Sequence, residues 1–395
     1  MMKMRKTMQA SSQRTTSDPC EKRLHEGYTT ALMQPKSRES IFTALFPNEP
    51  TFRWRQVQEA LFLPDATGWK DATSLSKLIR ETLTEKMPWM TCTAERLYKS
   101  ARNDTFKAVL AGEDGKQFET VLMANMRDQW TICVSSQIGC AMGCTFCATG
   151  AMGFKRSLTA DEIMDQYRYW KNFLKKRPGD PQRISNVVFM GMGEPMTNYD
   201  NVKKAIHAWL KYTDIGPTRI TVSTVGVLMQ MDRLLQDKDW PPVRIAVSLH
   251  SANQKKREEI VPTTTPDFLK KLTEWSHKYA RIKGNNRHHI TYEYTLITGV
   301  NDTPELAHEL GTYIKGTSAS MINLIPYNPV MGKIFTRSTK ARIDAFRKIL
   351  EGYGLNVTQR KTMGDDIAAA CGQLVTENEG EQRDKDKGRI ALDVG

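Results

Sequence analysis

Three cysteines, Cys140, Cys144 and Cys147, form a CxxxCxxC run inside "CVSSQIGCAMGCTFCATG". A structural metal site normally closes its coordination sphere with four thiolate or imidazole ligands, whereas three thiolates on one short loop leave a cluster with one open iron. Such an iron can hold a substrate or cofactor. A zinc knuckle and a set of free buried thiols are the alternatives. Zinc loops favour repeated CxxC pairs, and Cys20, Cys92, Cys133 and Cys371 form no second close pair.

The chain of 395 residues is long enough for one large catalytic domain and a smaller accessory one. No stretch approaches the roughly 20 apolar residues of a membrane span, so a soluble chain with no membrane partner is expected. Seven cysteines, three of them at ligand spacing, suit a reducing compartment better than a disulfide scaffold. A cytoplasmic protein is expected. The first 17 residues carry four basic side chains and no acidic one, which is compatible with organelle import or with a disordered extension.

A net charge of +13 favours a polyanionic partner, nucleic acid first. Basic clusters lie at Lys171–Arg177, Lys255–Arg257 and Arg281–His289. Each alone reads as a solvated helix end; together in a basic chain they read as phosphate contacts, with strongly salt-dependent binding.

The chain divides into a basic extension over 1–40, a helical accessory unit over 41–104, a catalytic domain over 105–375 and a charged tail over 376–395. In the second segment "WRQVQEALF" and "TSLSKLIRETLTEKM" space apolar residues at three and four. From Thr105 short alternating runs broken by Gly112, Asp114 and Gly115 predict a hairpin leading into the cysteine loop. Strand-like and helix-like segments then alternate, with strands near Val187–Met190, Arg219–Thr224, Val243–Leu249, Ile290–Ile297, Met321–Ile325 and Asn356–Arg360. With a strand just before Cys140 this is an α/β fold, a partial or complete parallel (β/α) barrel whose ligands gather at the carboxyl ends of the strands. The loops there carry polar groups: Gly193 and Glu194 in "FMGMGEP", Ser223 in "STVG", Ser248 and His250 in "SLHS", Asn328 in "IPYNP". A small zwitterionic cofactor needs such convergent donors and acceptors.

The cysteine spacing, with Phe146 before the last cysteine, resembles that of radical S-adenosylmethionine (SAM) enzymes. The strings "CVSSQIGC", "GCTFCATGAMGFKRSLTADEI", "VVFMGMGEPMTNYDNV", "SLHSANQKKREEIVP", "NLIPYNP" and "RKTMGDDIAAACGQL", spread over residues 119–374, resemble the radical SAM RNA adenine methyltransferases of the RlmN and Cfr group. The resemblance implies a radical SAM partial (β/α) barrel with an amino-terminal accessory RNA-binding domain. It implies a 4Fe-4S cluster on Cys140, Cys144 and Cys147, and SAM contacts at Gly193, Glu194, Ser223, Ser248, Leu249, His250 and Asn328. It also implies that Cys371 carries a methyl group taken from one SAM and attacked by the radical made from a second. Cys133 would then resolve the protein–RNA adduct through a transient disulfide with Cys371. Glu119 in "FETV" matches the proton-abstracting base, with Glu113 as an alternative because of a suspected one-residue insertion. Read from the residues alone, Cys371 and Cys133 are buried small side chains. The implied substrates are 23S rRNA and the tRNA anticodon loop, methylated at adenosine carbon-2, or carbon-8 in a Cfr-type reaction. A flavodoxin-type electron donor and a monomeric chain complete the expectation.

Overall fold

The computed structural model describes residues 34–284, 290–319, 321–375 and 391–392. The extension up to residue 33, the end of the third basic cluster and most of the charged tail lie outside them.

Seven strands form the parallel part of one sheet: β4 (Trp130–Cys133), β7 (Ile184–Phe189), β8 (Ile220–Thr224), β9 (Arg244–Ser248), β10 (Ile290–Leu296), β11 (Met321–Pro326) and β12 (Asn356–Gln359). Each pairs in parallel with the next, so the chain crosses over through helices between them. The crossover helices, among them Ala160–Lys175, Tyr199–Tyr212, Phe268–Ile282 and Lys340–Gly352, present apolar faces to the sheet. Among the described residues β12 pairs only with β11, so the parallel strands form an open arc, a partial barrel.

At the other end the sheet turns antiparallel. β4 pairs with β3 (Gln117–Ala124), β3 with β2 (Thr105–Gly112) and β2 with β1 (Cys92–Lys99). The β2–β3 hairpin turns at Gly115, whose φ of +71° suits glycine. β1 lies in the segment expected to be helical. Its sequence "CTAERLYK" mixes charge with aliphatic residues, and a register shift between Ala94 and Arg96 breaks the alternation that would have marked a strand. Leu97 and Tyr98 also pair with Leu392 and Ala391, so that pair of tail residues joins the sheet.

The end of the expected extension is part of a helix that spans Arg38–Leu45, capped by Ser37, and Arg38 is fully buried. With helices Thr51–Ala60 and Lys77–Lys86 it encloses a separate core that includes Phe42, Val57, Trp69, Ile79 and Leu83. Burying each such aliphatic side chain contributes about 1.5–3 kcal/mol.

The strand immediately before Cys140 is not a barrel strand. β5 (Gln137–Gly139) pairs antiparallel with β6 (Phe154–Ser157) in a separate two-stranded sheet. It closes the base of the cysteine loop, where Cys140 N donates to Gly153 O at 3.0 Å. Gly139 has φ +71°, and a Cβ there would stand 1.8 Å from Gly153 O, so the closure requires glycine. Among the described residues no helix is long and apolar enough to cross a membrane.

Candidate active site

A cavity of about 140 Å³ opens at the carboxyl ends of the parallel strands. The three motif cysteines and Phe146 form one wall. Their loop is fixed by Thr145 N to Ile260 O at 3.0 Å and by the edge-on contact of Phe146 with the His250 ring, centroids 4.9 Å apart. Burial pushes all three thiols up, Cys144 to about 12, and the neighbouring thiols add to the effect at Cys140 and Cys144. Among the described residues no three His, Cys, Asp or Glu side chains converge on one ion. The three thiols share one cavity wall, which fits a cluster in which each thiolate takes a different iron and whose binding would displace the three protons.

Gly193, Glu194, Ser223, Ser248, His250 and Asn328 all line the same cavity. Gly193 adopts φ +95° against Gln137, whose side-chain Oε1 accepts from Glu194 N at 3.0 Å. The Glu194 carboxylate accepts N–H groups of Val225 (2.9 Å) and Met196 (3.0 Å), and burial holds its pKa above the usual range. It therefore shapes the loop as well as facing the cavity. His250 sits at φ +56°, and its Nδ1 accepts from Thr295 N at 3.1 Å. Burial, then the nearby Arg257, lowers its pKa to about 3. The imidazole is neutral, with its proton on Nε2 as a donor. Asn328 uses its amide on protein partners: Nδ2 donates to Cys371 O (3.1 Å) and Oδ1 accepts from Arg337 (2.9 Å).

Leu249 is the exception among the expected cofactor contacts. It is fully buried in the core, and only its neighbours Ser248 and His250 face the cavity. Its backbone still serves the site, because Leu249 O accepts from Arg257 Nε at 3.1 Å.

Cys371 lies on the wall shared by this cavity and a second, of about 30 Å³, which Cys133, Met123 and Arg360 also line. The segment after it is tied to the cysteine loop: Ala148 N donates to Gly372 O (2.8 Å) and Thr149 Oγ1 to Leu374 O (2.7 Å). Burial, then the adjacent Cys371, pushes the Cys133 thiol up to about 12 against the opposing Arg360. Glu119 lines neither cavity. It lies on the same face of β3 as Met123, its Oε1 2.7 Å from Lys107 Nζ and its Oε2 accepting Val375 N at 2.9 Å. Glu113 sits at the far hairpin turn, where burial, then Glu162, raises its carboxyl pKa.

Sequence reasoning missed Glu293, Arg360 and Arg257. Glu293 accepts from Ser223 Oγ at 3.0 Å and lies 3.7 Å from Arg360, which completes a polar line across the cavity floor. Its signal was the single charged residue inside a parallel strand, "ITYEYTL". Arg257 was read as part of a solvent-facing basic cluster. It is buried beneath the cysteine loop, donates to Ser248 O (3.3 Å) and Thr264 Oγ1 (2.5 Å), and stacks 3.7 Å over Phe268. Successive helical residues point about 100° apart, so Lys255, Lys256 and Arg257 are no cluster in space.

Residues 134–310 match the model of the radical SAM superfamily. The chain is 40% identical over 329 residues to a probable dual-specificity RNA methyltransferase RlmN of Aquifex aeolicus, covering 82% of this chain and 91% of that one. It is 37% identical over 336 residues to the ribosomal RNA large subunit methyltransferase N of Nitrosopumilus maritimus, covering 82% and 93%. The crystal structure of a radical SAM methyltransferase from Sphaerobacter thermophilus is similar at a TM-score of 0.76 and 36% identity, over 84% of this chain and 95% of that one.

Proposed function

The chain belongs to the RlmN-type radical SAM RNA methyltransferases, and we propose that it methylates carbon-2 of adenosine in 23S rRNA and in tRNA through a methyl group carried on Cys371. One observation carries this reading: Cys371 stands between the cavity of the three motif cysteines and the cavity that holds Cys133.

Cys140, Cys144 and Cys147 would hold the 4Fe-4S cluster. Gly193, Ser223, Ser248 and the Nε2–H of His250 would hold SAM, with Glu194 and Asn328 fixing the loops around it. When bound, the cluster would supply one-electron chemistry: the electron that cleaves SAM to a 5'-deoxyadenosyl radical, and an acceptor for the electron that the substrate adduct gives up. The protein supplies the rest. The Cys371 thiolate takes a methyl group from a first SAM, which leaves as the neutral thioether S-adenosylhomocysteine; the methyl then gives a hydrogen atom to the 5'-deoxyadenosyl radical and adds, as a thiomethylene radical, to the electron-poor amidine carbon of adenine. Glu119 removes the carbon-2 proton. The Cys133 sulfur attacks the Cys371 sulfur; the S–C bond breaks, its electron pair stays on the methylene carbon, and that carbon takes a proton to become the methyl group. A disulfide remains, which an external thiol reduces.

The helical unit, expected over 41–104, is proposed to contact RNA, with β1 from Cys92 belonging to the catalytic sheet. A flavodoxin-type protein is the proposed electron donor. The test is anaerobic cluster reconstitution followed by mass spectrometry of nucleosides from treated rRNA and tRNA. We expect 2-methyladenosine, its loss in Cys371→Ala, and a trapped RNA–protein adduct in Cys133→Ala. Finding only 8-methyladenosine would overturn the carbon-2 assignment.

A further inference from the structure

The buried pair Lys107–Glu119 lies against the segment that carries Cys371. Lys107 on β2 and Glu119 on β3 have side chains only 5% and 3% exposed, with Nζ 2.7 Å from Oε1. The ammonium also lies 4.9 Å from the centre of the Tyr98 ring. A buried ion pair of this kind is weak evidence for stability, because desolvating two charges offsets most of their attraction and an apolar pair would pack as well. Its place in the molecule suggests another use. The second carboxylate oxygen accepts the N–H of Val375, four residues beyond Cys371. Ser135 Oγ, just past Cys133, donates to Glu119 O at 2.5 Å. The carboxylate is thus held by one side-chain cation and one backbone donor, and that donor belongs to the segment carrying Cys371.

We propose that Lys107 is the positioning residue for proton removal from the RNA adduct. When the Cys371 segment shifts to engage adenine, Val375 N–H leaves Oε2, and Lys107 alone keeps the carboxylate aimed at the reacting carbon. The carbon-2 C–H bond then breaks, an O–H bond forms at Oε2, and the electron pair stays with the ring. Lys107 remains an ammonium group throughout, bonded to Oε1. The inference deepens the reading of Glu119 as the base and rests on it.

The experiment follows two species in the reconstituted enzyme with RNA: the covalent adduct at Cys371, on denaturing gels, and the released methylated nucleoside, by mass spectrometry. In Lys107→Met the adduct should accumulate while its resolution slows at least ~10-fold, part of the ~10²–10⁴-fold that a well-placed general base contributes. Lys107→Arg should restore most of the release, and Lys107→Gln, which retains a hydrogen-bonding head if the methionine variant folds poorly, should show the same accumulation as Lys107→Met. Equal loss of adduct and product in the Met and Gln variants, or no recovery with arginine, would reduce Lys107 to a structural role and overturn the proposal. Glu119→Gln separates the two readings. If it resolves adduct at the wild-type rate, Glu119 is not the base, and the proposal goes with it; if it stalls while Lys107→Met resolves normally, only the Lys107 role fails.

Discussion

Replacing Arg38 by methionine tests how the helical unit is fastened to the barrel. Arg38 is the first residue of the helix Arg38–Leu45 and is fully buried, with Nη1 3.3 Å from Asp161 and Nη2 2.5 Å from Asp165 on the helix Ala160–Lys175. It also donates to Pro88 O (3.1 Å) and Trp89 O (2.9 Å). Removing one partner of a buried pair costs about 3–5 kcal/mol, because the other charge is left without compensation. Here the loss falls at the lower end. Asp165 keeps Arg168 Nη1 at 2.5 Å and Thr91 N at 2.7 Å, and Arg168 still donates to Trp89 O. Only Pro88 O and one side of Asp161 lose their charged partner. A cost of about 3 kcal/mol is roughly a hundredfold in an opening equilibrium. Because the unit has a core of its own, the opening should be local, an undocking that leaves the barrel folded. Hydrogen exchange followed by mass spectrometry should show amides of 42–60 losing protection while β7 to β10 keep theirs. The Michaelis constant for RNA should rise, and SAM cleavage without RNA should not change. Unchanged protection over 42–60, or an even loss across the barrel strands, would refute the idea that these charges act as a docking latch.

Two further outcomes follow from the cavity. His250 has a folded pKa near 3 against 6.5 for the free side chain, so between those values the unfolded chain binds a proton that the folded chain excludes. Stability therefore rises with pH across that window and falls by roughly 2 kcal/mol between pH 7 and pH 5 on account of this group. Urea midpoints at the two pH values should show that slope, and His250→Gln should lessen it; an identical slope in the variant would exclude His250 as its source. Gly193→Ala places a Cβ 2.4 Å from Gln137 Cβ at a backbone φ of +95°. Equilibrium dialysis of reconstituted protein should show SAM affinity down by about tenfold or more, given ~1–3 kcal/mol of local strain, and wild-type affinity would show that this loop does not hold SAM.

What the sequence made legible and what it hid divide along one physical line. Features fixed by local periodicity were readable: the parallel strands from Ile184 onward, the crossover helices, and the polar residues that end the strands. Leu249 was expected from the resemblance, but the strand ends at Ser248 and the backbone turns at His250 (φ +56°), which puts Ser248 and His250 on the cavity and the Leu249 side chain in the core. Features fixed by charge compensation across distant segments were not readable. Arg38, Arg257 and Lys107 look like solvated cations in sequence, because nothing nearby names their partners: an aspartate 127 positions away for Arg38, the backbone of two strand ends for Arg257, and the carboxylate across a hairpin for Lys107. The consequence bears on how the positive charge is divided. Three of the cations counted in the net charge are internal, and one of them, Arg257, belonged to a cluster read as phosphate contacts; they hold the accessory unit, two strand ends and Glu119. The surface that meets RNA must therefore be built from the remaining exposed lysines and arginines, and the salt dependence of RNA binding should count those alone.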